Sequence, residues 1–543
     1  MELKPGKISP TRFQTLAALG FTLFFIVFSA FSVRGMSLTA DEPDHYKYGT
    51  RILSLNSTRF DDSKMPITAL NVLPAKLASK LPLGAIRTFL EQFFIARFVT
   101  ILFSAFIALL VYHWSRSLYG FAGGLAALIL YVFDPNLIAH SQLVTTDIYV
   151  TGMVTISCYW LWKYASSGRV RDGLLCALVL GFSQITKYTA LVLVPLFLLI
   201  LFAHDWFVLA QEHPGQRGFV FRRVAGKSII FGAIAIAACI VFINIGFLFN
   251  HTFTAFKDYR FESQTFKSLQ SKAGFLGNIP IPTPYPFLQG LDRIDFREST
   301  GFGYGKIYLL GQLRTGQGFK GYYFAASLLK VPLATQLVLV GAFAFYFANK
   351  QRRRSFFINE IFLLVPVLFF VIYFNFFFNA QIGIRFYLII FPLLYIFSGG
   401  LFQNWAEFSN TSKAAVLVLS LYLVSSVFSY YPQYLAYFNE LVWDRKTAYR
   451  YLSDSNLNWG QGKYYLQDYL SKHPEAVYEP DKIQSGEIIA SPDDLVGVTD
   501  DPQKFAWLRE NFEPVGTVAY VYLIYDISQE DLAQLCKTKS ICP

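Results

Sequence analysis

Apolar runs long enough to cross a bilayer recur along this chain, separated by short polar stretches. A hydrocarbon core about 30 Å thick takes about 20 helical residues per crossing. Runs of that kind lie near 14–33, 94–113, 121–140, 147–163, 172–186, 188–204, 228–249, 325–348, 356–378, 384–402 and 413–431, which predicts about eleven spans. The first run is followed by Arg34 and Met36 rather than by small residues, so it reads as a retained span and not as a cleaved signal peptide.

Three longer segments interrupt the pattern. In segment 34–93, Leu70, Leu73, Leu77 and Leu81 fall at helical spacing with Lys76 and Lys80 on another face. That pattern predicts a helix over 70–90 lying in the membrane interface. Segment 250–324 is rich in Pro, Gly and Tyr (IPIPTPYPFLQGL, then GFGYGKIYLLGQ) and reads as an irregular ordered loop. Segment 432–543 is polar and of domain size, with helical character at 461–472 and strand character at 516–528. The expected architecture is a polytopic α-helical membrane protein with a transmembrane domain over 1–431. A small α/β domain over 432–543 would follow it.

Composition agrees. The 543 residues are 54% hydrophobic and 15% charged, against about 25% charged in an ordinary soluble protein. A disordered chain and a soluble multidomain enzyme are both excluded. The aromatic content of 18%, with 56 Phe and 33 Tyr, suits helices that face lipid and end at its interface. The net charge of +11 would be compatible with nucleic acid, but the positions of the cations decide against it. With the N-terminus inside, Lys and Arg gather in the short cytoplasmic segments, from Lys4, Lys7 and Arg12 through Arg352, Arg353 and Arg354 to Lys413, whereas 379–383 has none. The charge therefore sets topology, and the C-terminus and the three long segments fall on the outer side. Of the five cysteines, Cys158, Cys176 and Cys239 lie in apolar runs. Cys536 and Cys542 flank a short polar turn, a spacing that permits a disulfide in an oxidising compartment.

Ionisable residues at membrane depth are costly and tend to be functional. Here they gather at the outer helix ends: Asp41, Glu42, Asp44 and His45 after the first span, Arg97, Asp134, His140, Asp147, Lys187 and Arg385. Convergence on one outward cavity is expected. A transporter would place such groups near the midplane. In DEPDHYKYG (41–49), Pro43 favours a first helical turn, so Asp41 and His45 share a face and Glu42 points about a quarter-turn away. Asp41 reads either as a helix cap or as a general base whose proton affinity is raised by neighbouring carboxylates and apolar walls. Asp147 reads as a cap or a site residue, Lys187 and Arg385 as interfacial anchors or site cations, and His140 as an interfacial hydrogen-bonder. No zinc-spaced Cys/His cluster, P-loop, G-x-G-x-x-G or G-x-S-x-G occurs. A soluble nucleotide donor is not expected.

Several motifs follow in a fixed order: TADEPDHYKYG, ARFVTILFSAFIALLVYHWSRSLYG, DPNLIAHSQLVTTDIYVTG, ITKYTAL, TPYPFLQGL, YYFAASLLKVPL, IGIRFYLIIFPLL, YPQYLAYFNEL and RYLSDSNLNWGQG. In this order the sequence resembles a bacterial GT-C glycosyltransferase of the protein O-mannosyltransferase and aminoarabinose transferase branch, which uses polyprenyl-phosphate sugars. The resemblance implies a GT-C fold in the cytoplasmic membrane. It also implies inverting transfer, on the outer face, of a sugar to a hydroxyl of a protein, lipid or glycan. Asp41 matches the base, Glu42 its supporting partner and Asp147 the acid of the second outer loop. Lys187 and Arg385 fall near the donor phosphate, and His45, Arg97 and His140 stand as supporting residues. No metal ligand set is implied, although a divalent cation is compatible with the chemistry. Relatives often carry His-Pro-Pro where this chain has Ser63-Lys64-Met65-Pro66, a departure that bears on the acceptor pocket. The competing readings are a transporter or lipid flippase, and an assembly protein that keeps the fold without activity.

Overall fold

The computed structural model describes residues 11–80, 82 and 84–539. Lys4, Lys7, Leu81 and Cys542 lie outside the described residues, and so does the expected Cys536–Cys542 pairing. Each of the apolar runs falls on helix. Thr11 opens α1 (Arg12–Ser32) with a capping box: its hydroxyl accepts from the Gln14 N–H, and the Gln14 side chain accepts from its own N–H. Next come α2 (Glu42–Leu53), α3 (Ala69–Ala78), α4 (Gly84–Leu90), α5 (Phe93–Val132), α6 (Pro135–Ser141), α7 (Asp147–Ser167), α8 (Val170–Ser183), α9 (Leu193–Glu212) and α10 (Arg217–Gly246). Among the described residues six helices are long and apolar enough to cross a bilayer, or seven if one bent pair is a single span.

Several expectations change. The helix expected over 70–90 is two, α3 and α4, whose Leu73, Leu77, Ile86 and Phe89 are exposed as an interfacial face requires. The run at 121–140 ends early, at Val132, because Asp134 caps a new helix: its carboxylate accepts from the N–H groups of Asn136 and Leu137, with Pro135 in the first turn. Segment 250–324 is not an irregular loop but holds α11 (Gln264–Lys272), α12 (Tyr285–Thr300) and a hairpin of β1 (Lys306–Leu309) with β2 (Gln312–Thr315). Its prolines act as helix-start residues, since Pro284 and Pro286 flank the first position of α12. The run at 325–348 is two helices, α13 (Tyr322–Lys330) and α14 (Leu333–Ala348), bent by 116°. Pro332 drives the preceding Val331 to extended backbone (φ −92°, ψ 132°) and breaks the helix there.

After α15 (Lys350–Arg354) and α16 (Ile361–Phe376), a 3₁₀ stretch at Ile384–Ile390 runs into α17 (Phe391–Ser398), and α18 (Asn410–Phe428) follows. The C-terminal segment carries α19 (Lys463–Lys472), β3 (Val477–Tyr478), β4 (Gly486–Ala490), α20 (Pro492–Val496), α21 (Ala506–Asn511), β5 (Gly516–Val518), β6 (Tyr522–Ile527) and α22 (Gln529–Lys539). The sheet order is β3-β4-β6-β5, with only the β3–β4 pairing parallel. The single strand expected over 516–528 is a hairpin, because Ala519 and Tyr520 take left-handed backbone (φ 56° and 59°).

The centre of the bundle is the nearly fully buried Ile384–Phe402 stretch packed on α5. Small residues allow the approach: a Cβ on Gly123 would lie 2.6 Å from the carbonyl oxygen of Gly399. Gly123→Ala is therefore expected to destabilise by about 1–3 kcal/mol through overpacking. Gly226→Ala on α10, where a Cβ meets nothing within 4 Å, should be neutral or stabilising by up to about 1 kcal/mol. Thermal unfolding of the detergent-solubilised variants measures both.

Candidate active site

Between α1 and α2 the backbone is gripped from several sides. The N–H groups of Ser37 and Ala40 donate to the carbonyls of Gln461 and Trp459. Arg97 of α5 donates to the carbonyls of Met36 (3.0 Å) and Ser37 (2.9 Å) and pairs with Glu42 through Nε (2.8 Å) and Nη2 (2.6 Å). Glu42, with no exposed surface, also accepts from the N–H groups of Thr39 (2.9 Å) and Val144 (3.0 Å). Its partner is Arg97 and not Asp41, because the helical turn that follows Asp41 aims Glu42 into the packing. Both residues fix the site's frame.

Asp41 holds the cap position of α2 without capping it. Its carboxylate turns to Arg385 Nη1 (2.9 Å) and Lys64 Nζ (3.6 Å), and Lys64 is itself buried and 3.6 Å from Asp61. Burial alone would raise the Asp41 pKa, but Arg385 and Lys64 outweigh it and hold the group at about 2. The expected rise is thus reversed: the groups around Asp41 are chiefly cations. His45 is pushed down to about 3, first by burial and then by Lys64, against the pull of Asp41 and Asp147. It is a neutral imidazole.

A second ion pair lies alongside. Asp147 opens α7, fully inside the protein, and its Oδ1 is 2.6 Å from Lys187 Nζ. Phe386 meets the cation of each pair, with Lys187 4.0 Å and the Arg385 guanidinium 5.2 Å from its ring centre. Trp459 covers Arg385 at 4.1 Å. His140, at the end of α6, is buried among Asp147, Arg385, Lys330 and Lys187. Four polar atoms around these groups are buried without a hydrogen-bond partner: His45 Nδ1, His140 Nδ1, Thr145 Oγ1 and Arg385 Nε. Donors and acceptors so placed are stabilised by a polar ligand that pairs with them.

The structure therefore brings Asp41, His45, His140, Asp147, Lys187 and Arg385 to one place. Asp134 stays apart, since it caps α6 and takes the Tyr395 hydroxyl at 2.5 Å. Lys64 and the turn around Asp454 and Trp459 join the cluster without having been singled out as site residues. Lys64 carried a faint signal, a lone cation beside Asp61 and Asp62. Asp454 lies in the RYLSDSNLNWGQG motif, but nothing local links it to Asp41, more than 400 residues away in sequence. Among the described residues, the His, Asp and Glu atoms close enough to share an ion are those of His473, Glu475 and Glu487 in the C-terminal segment. Asp41 and Asp147 are instead neutralised by side-chain cations.

Residues 85–221 match the sequence model of the family described as dolichyl-phosphate-mannose-protein mannosyltransferase. That stretch contains Arg97, His140, Asp147 and Lys187. No curated protein matches the chain significantly. Among solved structures it is similar to ArnT from Cupriavidus metallidurans bound to undecaprenyl phosphate, at 10% identity and TM-score 0.48, over 93% of this chain and 97% of that one. It is also similar to the apo state of that protein, at 12% identity and TM-score 0.41, over 96% and 99% of the two chains.

The Asp147–Lys187 pair gives a sharp test. Lys187→Met leaves a buried carboxylate without its nearest cation and should cost about 3 kcal/mol. Adding Asp147→Asn should return most of that loss, read as recovery of the thermal midpoint in detergent.

Proposed function

We propose that this chain is a membrane glycosyltransferase. It would move a sugar from a polyprenyl-phosphate carrier to a hydroxyl of a protein, lipid or glycan, on the outer face of a bacterial cytoplasmic membrane. The observation that carries this reading is the pair of part-buried ion pairs, Asp41–Arg385 and Asp147–Lys187, whose cations both meet Phe386 beside unpartnered polar atoms. Support also comes from the family match over 85–221 and from the distribution of Lys and Arg, which by the positive-inside rule fits a cytoplasmic N-terminus and would leave this cluster outside.

The chemistry follows from charge balance. A phosphodiester brings negative charge that competes with Asp41 and Asp147 for Arg385 and Lys187. Once the phosphate engages Arg385, Asp41 is released and accepts the acceptor's hydroxyl proton. Lys64 stays beside Asp41 and keeps it ionised until that moment. The acceptor oxygen bonds to the anomeric carbon as the bond from that carbon to the phosphate oxygen breaks on the opposite face, which inverts the centre. Arg385 and Lys187 then stabilise the charge that returns to the leaving polyprenyl phosphate.

The test is release of free polyprenyl phosphate from a panel of polyprenyl-phosphate sugars, in membranes supplied with cell-envelope extract. Wild type is expected to release it, and Asp41→Asn to be slower by about 10²–10⁴-fold. Equal rates would remove Asp41 as the base. No release from any donor by the wild type would return the chain to the transporter or flippase reading.

A further inference from the structure

The motif RYLSDSNLNWGQG (450–462) is not used by the chemistry above, yet its turn meets the cluster. Asp454 has left-handed backbone (φ 59°), which a residue other than glycine adopts at a cost. Neighbours hold it there. Asp493 of α20 accepts from the Asp454 N–H (2.7 Å) and from the Ser453 hydroxyl. The Asn456 side chain accepts from the Ile384 N–H (3.0 Å) and donates to the Tyr322 hydroxyl (2.8 Å), and the Ser455 hydroxyl donates to the Ile382 carbonyl. Gly383 (φ 137°) permits this contact, since a Cβ there would overlap the Ser455 hydroxyl. The turn is thus fixed to the very segment that carries Arg385.

We propose that the 453–459 turn holds the sugar of the lipid-linked donor, with Asp454 accepting hydrogen bonds from sugar hydroxyls next to the anomeric carbon. The inference rests on the glycosyltransferase reading given above. A sugar joined to a phosphate at Arg385 must lie within a few bonds of that guanidinium, and Arg385 and Asp41 are charged neighbours of Asp454, as is Asp493 on the backbone side of the turn. Of the three carboxylates there, Asp41 and Asp147 are each bound by cations, whereas Asp454 makes no ion pair among the described residues and takes one short bond, from the Ser455 N–H. Its remaining acceptor capacity is free for hydroxyl groups. Trp459, from the same turn, places an indole against Arg385, so the turn supplies both a carboxylate and an apolar face. The unpartnered Nδ1 atoms of His45 and His140, both more than nine-tenths buried, offer further partners to a polyhydroxylated ligand. Burial holds Asp454 up at about 6, with the Ser455 N–H and Arg385 pulling down and Asp41 pushing up. The ligand class is therefore a sugar with free hydroxyls, read by the C-terminal segment, while the membrane segment reads the phosphate.

The test uses the purified full-length protein in nanodiscs. Binding of bare undecaprenyl phosphate is compared with binding of undecaprenyl-phosphate monosaccharides from a panel, in wild type and in Asp454→Asn. Asparagine tolerates left-handed backbone and keeps the side-chain size, so the turn is retained. The wild type should bind at least one sugar-bearing lipid more tightly than the bare lipid. Asp454→Asn should reduce that preference by about tenfold, the worth of a charge-assisted hydrogen bond, with no loss in the bare lipid's affinity, since removing a negative charge near Arg385 cannot weaken a phosphate there. A preference that survives the substitution, an equal loss for both lipids, or no preference in the wild type would each overturn the proposal. Failure of the wild type to bind even the bare lipid would instead overturn the underlying glycosyltransferase reading, and the proposal with it.

Discussion

The buried pair of Glu42 and Arg97 is the constraint on which the rest of this site depends. A carboxylate and a guanidinium taken out of water must satisfy one another and their remaining hydrogen-bonding capacity, or the cost runs to about 3–5 kcal/mol. Arg97 meets that demand by binding the carbonyls of Met36 and Ser37, and Glu42 by accepting from Thr39 and Val144. The end of α1, the start of α2, the beginning of α5 and the loop before α7 are thereby locked together. Asp41 is consequently presented to Arg385 in a single orientation.

Around that frame, charges are stored as exchangeable pairs. Asp41 and Asp147 are each paired with a cation, and Arg385 and Lys187 are largely buried, where an anion would feel them more strongly than in water. In the proposed reaction a ligand phosphate replaces Asp41 on Arg385, and that exchange would turn Asp41 from counter-ion to proton acceptor, so that binding and chemistry would be coupled through one guanidinium.

Much of this was legible from spacing. The apolar runs, the break between the first span and DEPDHYKYG, and the cations and acids at one set of helix ends are local properties of the chain. Two departures from the sequence expectation have a shared cause: Pro284 and Pro286 start a helix and Pro332 breaks one, effects that hydropathy alone does not show. The expected rise in the proton affinity of Asp41 failed for a different reason. The cations around Asp41, Arg385 and Lys64, come from other parts of the chain, and no local spacing pairs them with it.

The sequence by itself determined that this is a multi-pass helical membrane protein, because hydrophobic length acts residue by residue. Only the tertiary structure decided which charges are partners. Pairing Asp41 with Arg385 joins residues 344 positions apart, and the Asp454 turn reaches the same guanidinium from the C-terminal segment. Such pairings depend on how helices pack, and packing is set by contacts such as Gly123 on Gly399 that no local pattern announces. Electrostatic function therefore emerges at the last level of folding, where distance in space replaces distance along the chain.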